Sequence, residues 1–190
     1  MIRKILAIAV LLFFSIQTMY AAEDTNNTTT IKTLKGKTLQ ATMGENGLTI
    51  DKYKGKILFL EFWGTQCPPC LISIPHYVQL QEKYKDDLAI LAIEVQATPR
   101  EALKKFVATK KMNYDIVEYN DGMVLTQFIT QKAGWRGEIP YLVIFDQKGE
   151  AQLVQPGLVA KETLEIMIKN MINEYKGKKK KDSKQWPPFA

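Results

Sequence analysis

A long apolar run that ends in a Cys-Pro-Pro-Cys motif limits what this chain can fold into more than any other feature. Residues 57–63 read ILFLEFW, and Cys67-Pro68-Pro69-Cys70 follows three residues later. The run is too apolar for a strand with one face in water, so it predicts a central parallel strand. Cys67 then falls at the start of the next helix, where free amides and the helix dipole stabilise a thiolate. We therefore expect Cys67 to attack a disulfide and Cys70, one turn later, to resolve the mixed disulfide.

The same cysteine spacing occurs in half of a zinc site. The chain has two cysteines and one histidine, His76, so a tetrahedral zinc site would lack ligands. The sequence therefore predicts redox chemistry without a metal or an organic cofactor. Copper binding by Cys67, Cys70 and His76 is the alternative from a different functional class.

The motif and its surroundings resemble the thioredoxin superfamily, in particular its TlpA/ResA-like branch of membrane-anchored or periplasmic proteins. The resemblance covers about residues 31–175 and includes one departure, Gln66, where the family commonly has tryptophan. It implies an α/β thioredoxin-like fold with a mixed central sheet flanked by helices, an N-terminal β-hairpin and a central αβ insertion. The residues that carry it are FWGTQCPPC, Pro75, Glu138-Ile139-Pro140 followed by YLVIFDQKGE, and Gly157.

The resemblance also implies roles for residues around the motif. Glu61 takes the position of a buried acid beneath the cysteines, where it would carry a proton to and from Cys70. Burial should raise its pKa, whereas a frayed strand would leave it in solvent. Pro140 would form a cis peptide bond facing the motif and leave the backbone of Ile139 free to pair with an extended substrate. The predicted substrate-binding residues are Trp63, Gln66, Pro68, Pro69, Glu138 and Ile139.

Two tryptophans have alternative interpretations. Trp63 is expected to lie half in the core and half in the floor of the active-site surface. Trp135, in the segment Gly134-Trp135-Arg136-Gly137, either lines the substrate groove or caps the core.

Periodicity and turn residues predict the other elements. Thr98 is expected to cap a helix that has Pro99 at its first position and Glu101 in its first turn. Predicted strands are Thr38–Met43, Leu48–Ile50, 88–95, 115–119, Tyr141–Phe145 and 151–154, and predicted helices are 71–85, 99–110, 122–130 and 161–175.

The net charge of +6 is concentrated at the two ends of the chain. Residues 23–175 contain 18 basic and 19 acidic side chains, so a nucleic-acid-binding face is not expected. Residues 1–22 predict a signal peptide or an N-terminal membrane anchor, and 23–30 a flexible spacer. Residues 31–175 form the predicted thioredoxin-like domain, and 176–190 a basic disordered tail whose lysines could attach to anionic lipid.

These features predict an exported, monomeric thiol-disulfide oxidoreductase on the periplasmic or extracytoplasmic side of a membrane. Its expected partners are a substrate protein with a disulfide or dithiol and a membrane thiol-disulfide electron donor. The resemblance favours reduction of substrate disulfides, with apocytochrome c as a candidate. A Dsb-type oxidase or isomerase is the alternative within the same chemistry, and a redox-inert docking module is an alternative outside it.

Overall fold

A computed structural model of the chain describes residues 27–45 and 47–182, with only the backbone of residues 179–182. The predicted signal peptide or anchor therefore lies outside the described residues. Within the described part, no helix combines the length and the hydrophobicity needed to cross a membrane. The elements in chain order are β1 Thr28–Lys32, β2 Thr38–Met43, β3 Leu48–Ile50, β4 Ile57–Trp63, α1 Pro68–Lys83, β5 Leu88–Glu94, α2 Arg100–Thr109, β6 Asp115–Val117, α3 Met123–Ala133, β7 Tyr141–Phe145, β8 Ala151–Pro156 and α4 Lys161–Asp182.

The larger sheet has five strands in the order β6-β5-β4-β7-β8. Strand β4 lies at its centre, parallel to β5 and antiparallel to β7, and every residue of β4 is buried. The predicted central strand and mixed sheet are confirmed. Strand β4 tolerates this position because its side chains are apolar on both faces, with Glu61 as the one ionisable exception.

The two faces of β4 belong to two separate cores. Phe59 and Trp63 face a core built with α1, α2 and α4, and both cysteines belong to it. Leu60 and Phe62 face a second core, built with α3 and the smaller sheet. Glu61 alternates with Leu60 and Phe62, so its side chain points to the first face, towards the cysteines.

The smaller sheet contains the predicted N-terminal hairpin, β2 and β3, and one more strand. Strand β1 begins at Thr28 and pairs with β2 through the whole register from Thr28 to Lys32. The predicted flexible spacer is therefore wrong for residues 28–30. Its polar composition indicated disorder, but threonine suits a strand and the burial of Ile31 holds this one against the second core.

The C-terminal helix is also longer than predicted. Helix α4 ends at Asp182, so the predicted disordered tail is wrong for residues 176–182, while 183–190 lie outside the described residues. Lysine is a good helix former, and cations in the last turns complement the helix dipole.

Two helix starts differ from the sequence pattern. Helix α1 begins at Pro68, where proline is tolerated because the first amides of a helix have no intrahelical acceptor. Helix α2 begins at Arg100 with Pro99 at the N-cap, so the prediction that Thr98 caps this helix is wrong. The Thr98 hydroxyl donates to Glu94 instead, because the end of β5 offers it a carboxylate.

Candidate functional site

The two cysteines form a disulfide at the N-terminus of α1, with their Cα atoms 5.2 Å apart. Cys67 is the N-cap residue, and its Sγ accepts a hydrogen bond from the Cys70 amide at 3.3 Å. Cys67 is 5% exposed and lies between the exposed Gln66 and Pro68, whereas Cys70 is 0% exposed. Of the two sulfurs, that of Cys67 therefore belongs to the residue that solvent reaches. This asymmetry suits the attacking and resolving roles, which stay predictions.

The loop before Cys67 is held by the loop that follows β5. The Gln66 amide donates to Gln96 Oε1 at 2.8 Å, and the Gln96 side chain packs directly over Gly64, where a Cβ would collide with it. The hydroxyls of Thr65 and Thr98 are 2.8 Å apart. These contacts set the approach of the chain to Cys67.

Glu94 organises that supporting loop and was missed by the sequence analysis. It ends β5, is 1% exposed, and its Oε1 accepts from the Gln96 amide at 3.1 Å and the Thr98 hydroxyl at 2.9 Å. Its Oε2 accepts from the Thr98 amide at 3.0 Å. The available signal was a carboxylate at the end of the second apolar strand, at the same sheet edge as the motif.

Glu61 lies beneath the disulfide and is 1% exposed, so the frayed-strand alternative is wrong. Its Oε1 accepts from the Ser73 hydroxyl at 3.1 Å, and the same hydroxyl is 2.9 Å from the Cys70 carbonyl. Its Oε2 has no hydrogen-bond partner among the described residues. Burial raises the pKa of Glu61 to about 8, and the hydrogen bond from Ser73 opposes this shift. Glu61 can therefore exchange a proton close to neutral pH.

The Ile139–Pro140 peptide bond is cis, as the resemblance implies. Pro140 is buried and precedes β7, and the pairing of Phe62 with Tyr141 places it beside the end of β4 that leads to the cysteines. The Gly157 amide holds the Pro140 carbonyl at 2.8 Å. Among the described residues, the backbone N–H and carbonyl of Ile139 have no hydrogen-bond partner.

The predicted substrate-binding residues fall into two groups. Trp63 is 0% exposed and packs against Phe106 with ring centroids 5.6 Å apart, so its predicted place in the active-site surface is wrong. It is enclosed because β4 is covered on both faces. The others reach the surface, with Gln66, Pro68 and Glu138 exposed and Pro69 and Ile139 half-buried.

Trp135 caps the core on the opposite face of the sheet. Its ring stacks on Phe62 at 4.7 Å, and its Nε1 donates to the Glu138 carbonyl at 2.7 Å. Of the two alternatives, the structure favours the core cap, which also anchors the segment before Pro140.

His76 does not join the cysteines in a metal site. It is half-buried on α1. The described residues contain no group of three potential metal-ligating side chains, so the set required for the copper alternative does not form there.

Residues 27–154 match the AhpC/TSA family. A ResA thiol-disulfide oxidoreductase from Geobacillus thermodenitrificans is 29% identical over 160 residues, which is 84% of this chain and 83% of that protein. A ResA thiol-disulfide oxidoreductase from Geobacillus kaustophilus is 29% identical over 123 residues, covering 64% and 67%.

Solved structures show the same fold. A thiol:disulfide interchange protein of the thioredoxin family from Chlorobium tepidum superimposes with a TM-score of 0.64 at 22% identity, over 76% of this chain and 93% of that one. A secreted disulfide oxidoreductase from Mycobacterium tuberculosis gives 0.57 at 19% identity, over 77% and 98%. With its thioredoxin-like sheet and its cysteine pair at a helix start, the chain belongs to the AhpC/TSA family.

Proposed function

We propose that the protein is an exported thiol-disulfide oxidoreductase that reduces disulfide bonds in substrate proteins. The observation that carries the proposal is the Cys67–Cys70 disulfide at the N-terminus of α1, connected to the buried Glu61 through Ser73. A helix N-terminus favours the thiolate that attacks, and a buried acid with a pKa near neutrality suits proton transfer. The names of the ResA relatives support the same activity.

In the reducing direction the reaction starts from the dithiol form. The Cys67 thiolate attacks one sulfur of the substrate disulfide, forms a mixed disulfide and releases the other substrate sulfur as a thiolate. Cys70 then attacks the sulfur of Cys67, which releases the second substrate thiolate and closes the Cys67–Cys70 disulfide. Two electrons pass to the substrate, and its two thiolates take up protons.

Glu61 manages the proton of Cys70 in this scheme. As Cys70 attacks, its thiol proton passes to the Glu61 carboxylate, and the reverse transfer accompanies re-reduction. With a pKa of about 8, roughly a tenth of Glu61 is ionised at pH 7, so both forms are accessible. Ser73 contacts both Glu61 and the Cys70 carbonyl, which keeps the acid in register with this cysteine.

The free backbone of Ile139 provides the docking edge. An extended substrate segment can pair with its N–H and carbonyl in the manner of an added strand, which places the substrate disulfide at Cys67. The exposed side chains of Gln66, Pro68 and Glu138 would contact the residues that flank the substrate cysteine.

Two observations favour reduction over oxidation. Pro68 has no amide to donate to a Cys67 thiolate, and among the described residues the one donor to its sulfur is the Cys70 amide. A thiolate with few donors is a poorer product, so the disulfide form is favoured and the dithiol is reducing. A potential near about −270 mV in a glutathione titration would support a reductant, and one near about −120 mV an oxidase.

The proposed location is the extracytoplasmic side of a membrane. Support comes from the basic and apolar pattern of residues 1–22 and from the lysine-rich end of α4, which would lie near anionic lipid. The proposed electron donor is a membrane thiol-disulfide protein, and the protein acts as a monomer. Apocytochrome c is a candidate substrate, because haem attaches to the two thiols of a Cys-x-x-Cys-His segment.

A trapping experiment tests the proposal. Without Cys70 the mixed disulfide cannot resolve, so the variant Cys70→Ser should accumulate a covalent adduct with an oxidised Cys-x-x-Cys-His peptide. Wild-type protein should instead turn the peptide over, as measured by mass spectrometry and free-thiol release. The variant Cys67→Ser is the matched control and should form no adduct. An adduct of equal yield with Cys67→Ser, or no turnover by the wild type, would refute the proposal.

A further inference from the structure

The layer beneath the disulfide contains buried polar atoms that the described residues leave without a hydrogen-bond partner. Three of them lie on the face of the sheet that carries the cysteines: Glu61 Oε2, Trp63 Nε1 and the Tyr114 hydroxyl. Buried polar atoms are almost always bonded to protein or to water. Proteins hold about one buried water for every 27 residues, each with about three hydrogen bonds. An acid and a phenol in one layer therefore fit a shared internal water.

Packing between α1, β4 and the segment before β6 brings the two groups towards each other. Ser73 and Tyr77 lie one turn apart on α1. Ser73 bonds to Glu61, while the Tyr77 ring meets Phe59, two residues earlier on β4, edge-on at 6.3 Å. The Tyr114 ring in turn meets Tyr77 edge-on at 6.3 Å.

The space beside Glu61 is open on the side of the tyrosines. The residue that pairs with Glu61 on β5 is Ala92, whose single methyl group leaves room above the strand. The negative charge of Glu61 raises the pKa of both Tyr77 and Tyr114, after the larger effect of burial, so both phenols lie within electrostatic reach of the carboxyl. Each stays protonated at neutral pH and can donate one hydrogen bond while it accepts another.

Tyr114 also reaches the outside. Its residue helps line a surface pocket of about 230 Å³, together with Gln81, Ile90, Asn113 and Asp115. A water molecule occupies about 30 Å³ of liquid, so this pocket holds several. Tyr114 thus lies between the interior acid and pocket water, on the opposite side from the surface at which Cys67 would meet its substrate.

We propose that Glu61 exchanges its proton with solvent through an internal water held by Glu61 Oε2 and the Tyr114 hydroxyl, which makes Tyr114 a positioning residue for the reaction. The inference rests on the proposed function. In the outward direction the carboxyl O–H bond breaks, the water receives that proton and passes one to the phenol oxygen, and the phenol releases its own to pocket water. One proton moves and no electron does. The route stays open while a substrate covers the motif.

The test compares Tyr114→Phe with the wild type and with Tyr84→Phe, a tyrosine whose hydroxyl bonds to Glu165 near the surface. Full-length protein is mixed with a peptide disulfide, and release of the second peptide thiol is followed from pH 6 to 9. Tyr114→Phe should slow release about 10-fold, less than the full ~100-fold effect of an acid–base group, and flatten its pH profile. Tyr84→Phe should match the wild type, and alkylation of Cys67 should be equally fast in all three.

A double variant separates a proton route from a packing effect. In a Glu61→Gln background there is no proton to pass, so adding Tyr114→Phe should change the release rate less than 2-fold. An equal slowing in both backgrounds, or a wild-type rate for Tyr114→Phe, would overturn the inference. Should Tyr114→Phe fold poorly, Ala92→Val fills the same space and must slow release likewise. Failure of the wild type to release any thiol would instead refute the proposed function.

Discussion

Two buried carboxylates end or occupy neighbouring strands of the same sheet, and they are held in opposite ways. Glu94 and Glu61 are each 1% exposed. Glu94 receives two amides and one hydroxyl over its two oxygens, whereas Glu61 receives a single hydroxyl on Oε1. Burial alone therefore does not give a carboxylate its role, because the donors around it decide which form is stabilised. Glu94 is a fixed anchor for the loop, and Glu61 is a group that can change its protonation.

The pH dependence of stability gives the largest expected contrast. Because folding raises the pKa of Glu61 from 4.5 to about 8, its stabilising contribution is complete below about pH 4.5 and is lost as pH rises to 8. The loss amounts to about 4 kcal/mol in the free energy of unfolding. Glu61→Gln should remove this fall, as measured by urea unfolding of the oxidised protein at pH 5 to 8. Identical pH profiles for the wild type and Glu61→Gln would contradict the assignment.

Replacement of the other carboxylate should weaken the fold over the whole of that pH range. Glu94→Gln directs an amide group at backbone donors that need an acceptor, and should lower the free energy of unfolding by about 2–3 kcal/mol. The pH-dependent fall caused by Glu61 should persist in this variant. The control is Glu101→Gln, an exposed carboxylate paired with Lys104, which should cost less than about 1 kcal/mol. A Glu94→Gln protein as stable as the control would show that the anchor is dispensable.

The smallest expected effect concerns the one donor of Glu61. Ser73→Ala removes the hydrogen bond that favours the ionised form, so the pKa of Glu61 should rise further, by about one. Titration of the Glu61 carboxyl carbon by nuclear magnetic resonance measures this directly. Thr126→Ala is a suitable control, since its buried hydroxyl bonds within α3 and does not touch Glu61. An unchanged or lower pKa in Ser73→Ala would mean that this hydroxyl does not stabilise the anion.

Features carried by contiguous residues could be predicted. The strand Ile57–Trp63, the cysteine pair at a helix start and the burial of Glu61 follow from one stretch of 14 residues, whose pattern is apolar on both strand faces. The errors arise where composition is ambiguous. A threonine-rich segment became β1 and a lysine-rich segment continued α4, because polar residues do not exclude an edge strand or an exposed helix.

The sequence by itself determined the chemistry available to this protein: two cysteines three residues apart, after a buried strand with a single carboxylate. Only the tertiary structure decided how that chemistry is controlled. Ser73, Glu94 and Tyr114 act on the site from α1, from the end of β5 and from the segment before β6. Their effects depend on hydrogen bonds and burial, which arise when distant segments pack, and no local pattern records which donors will meet a given carboxylate.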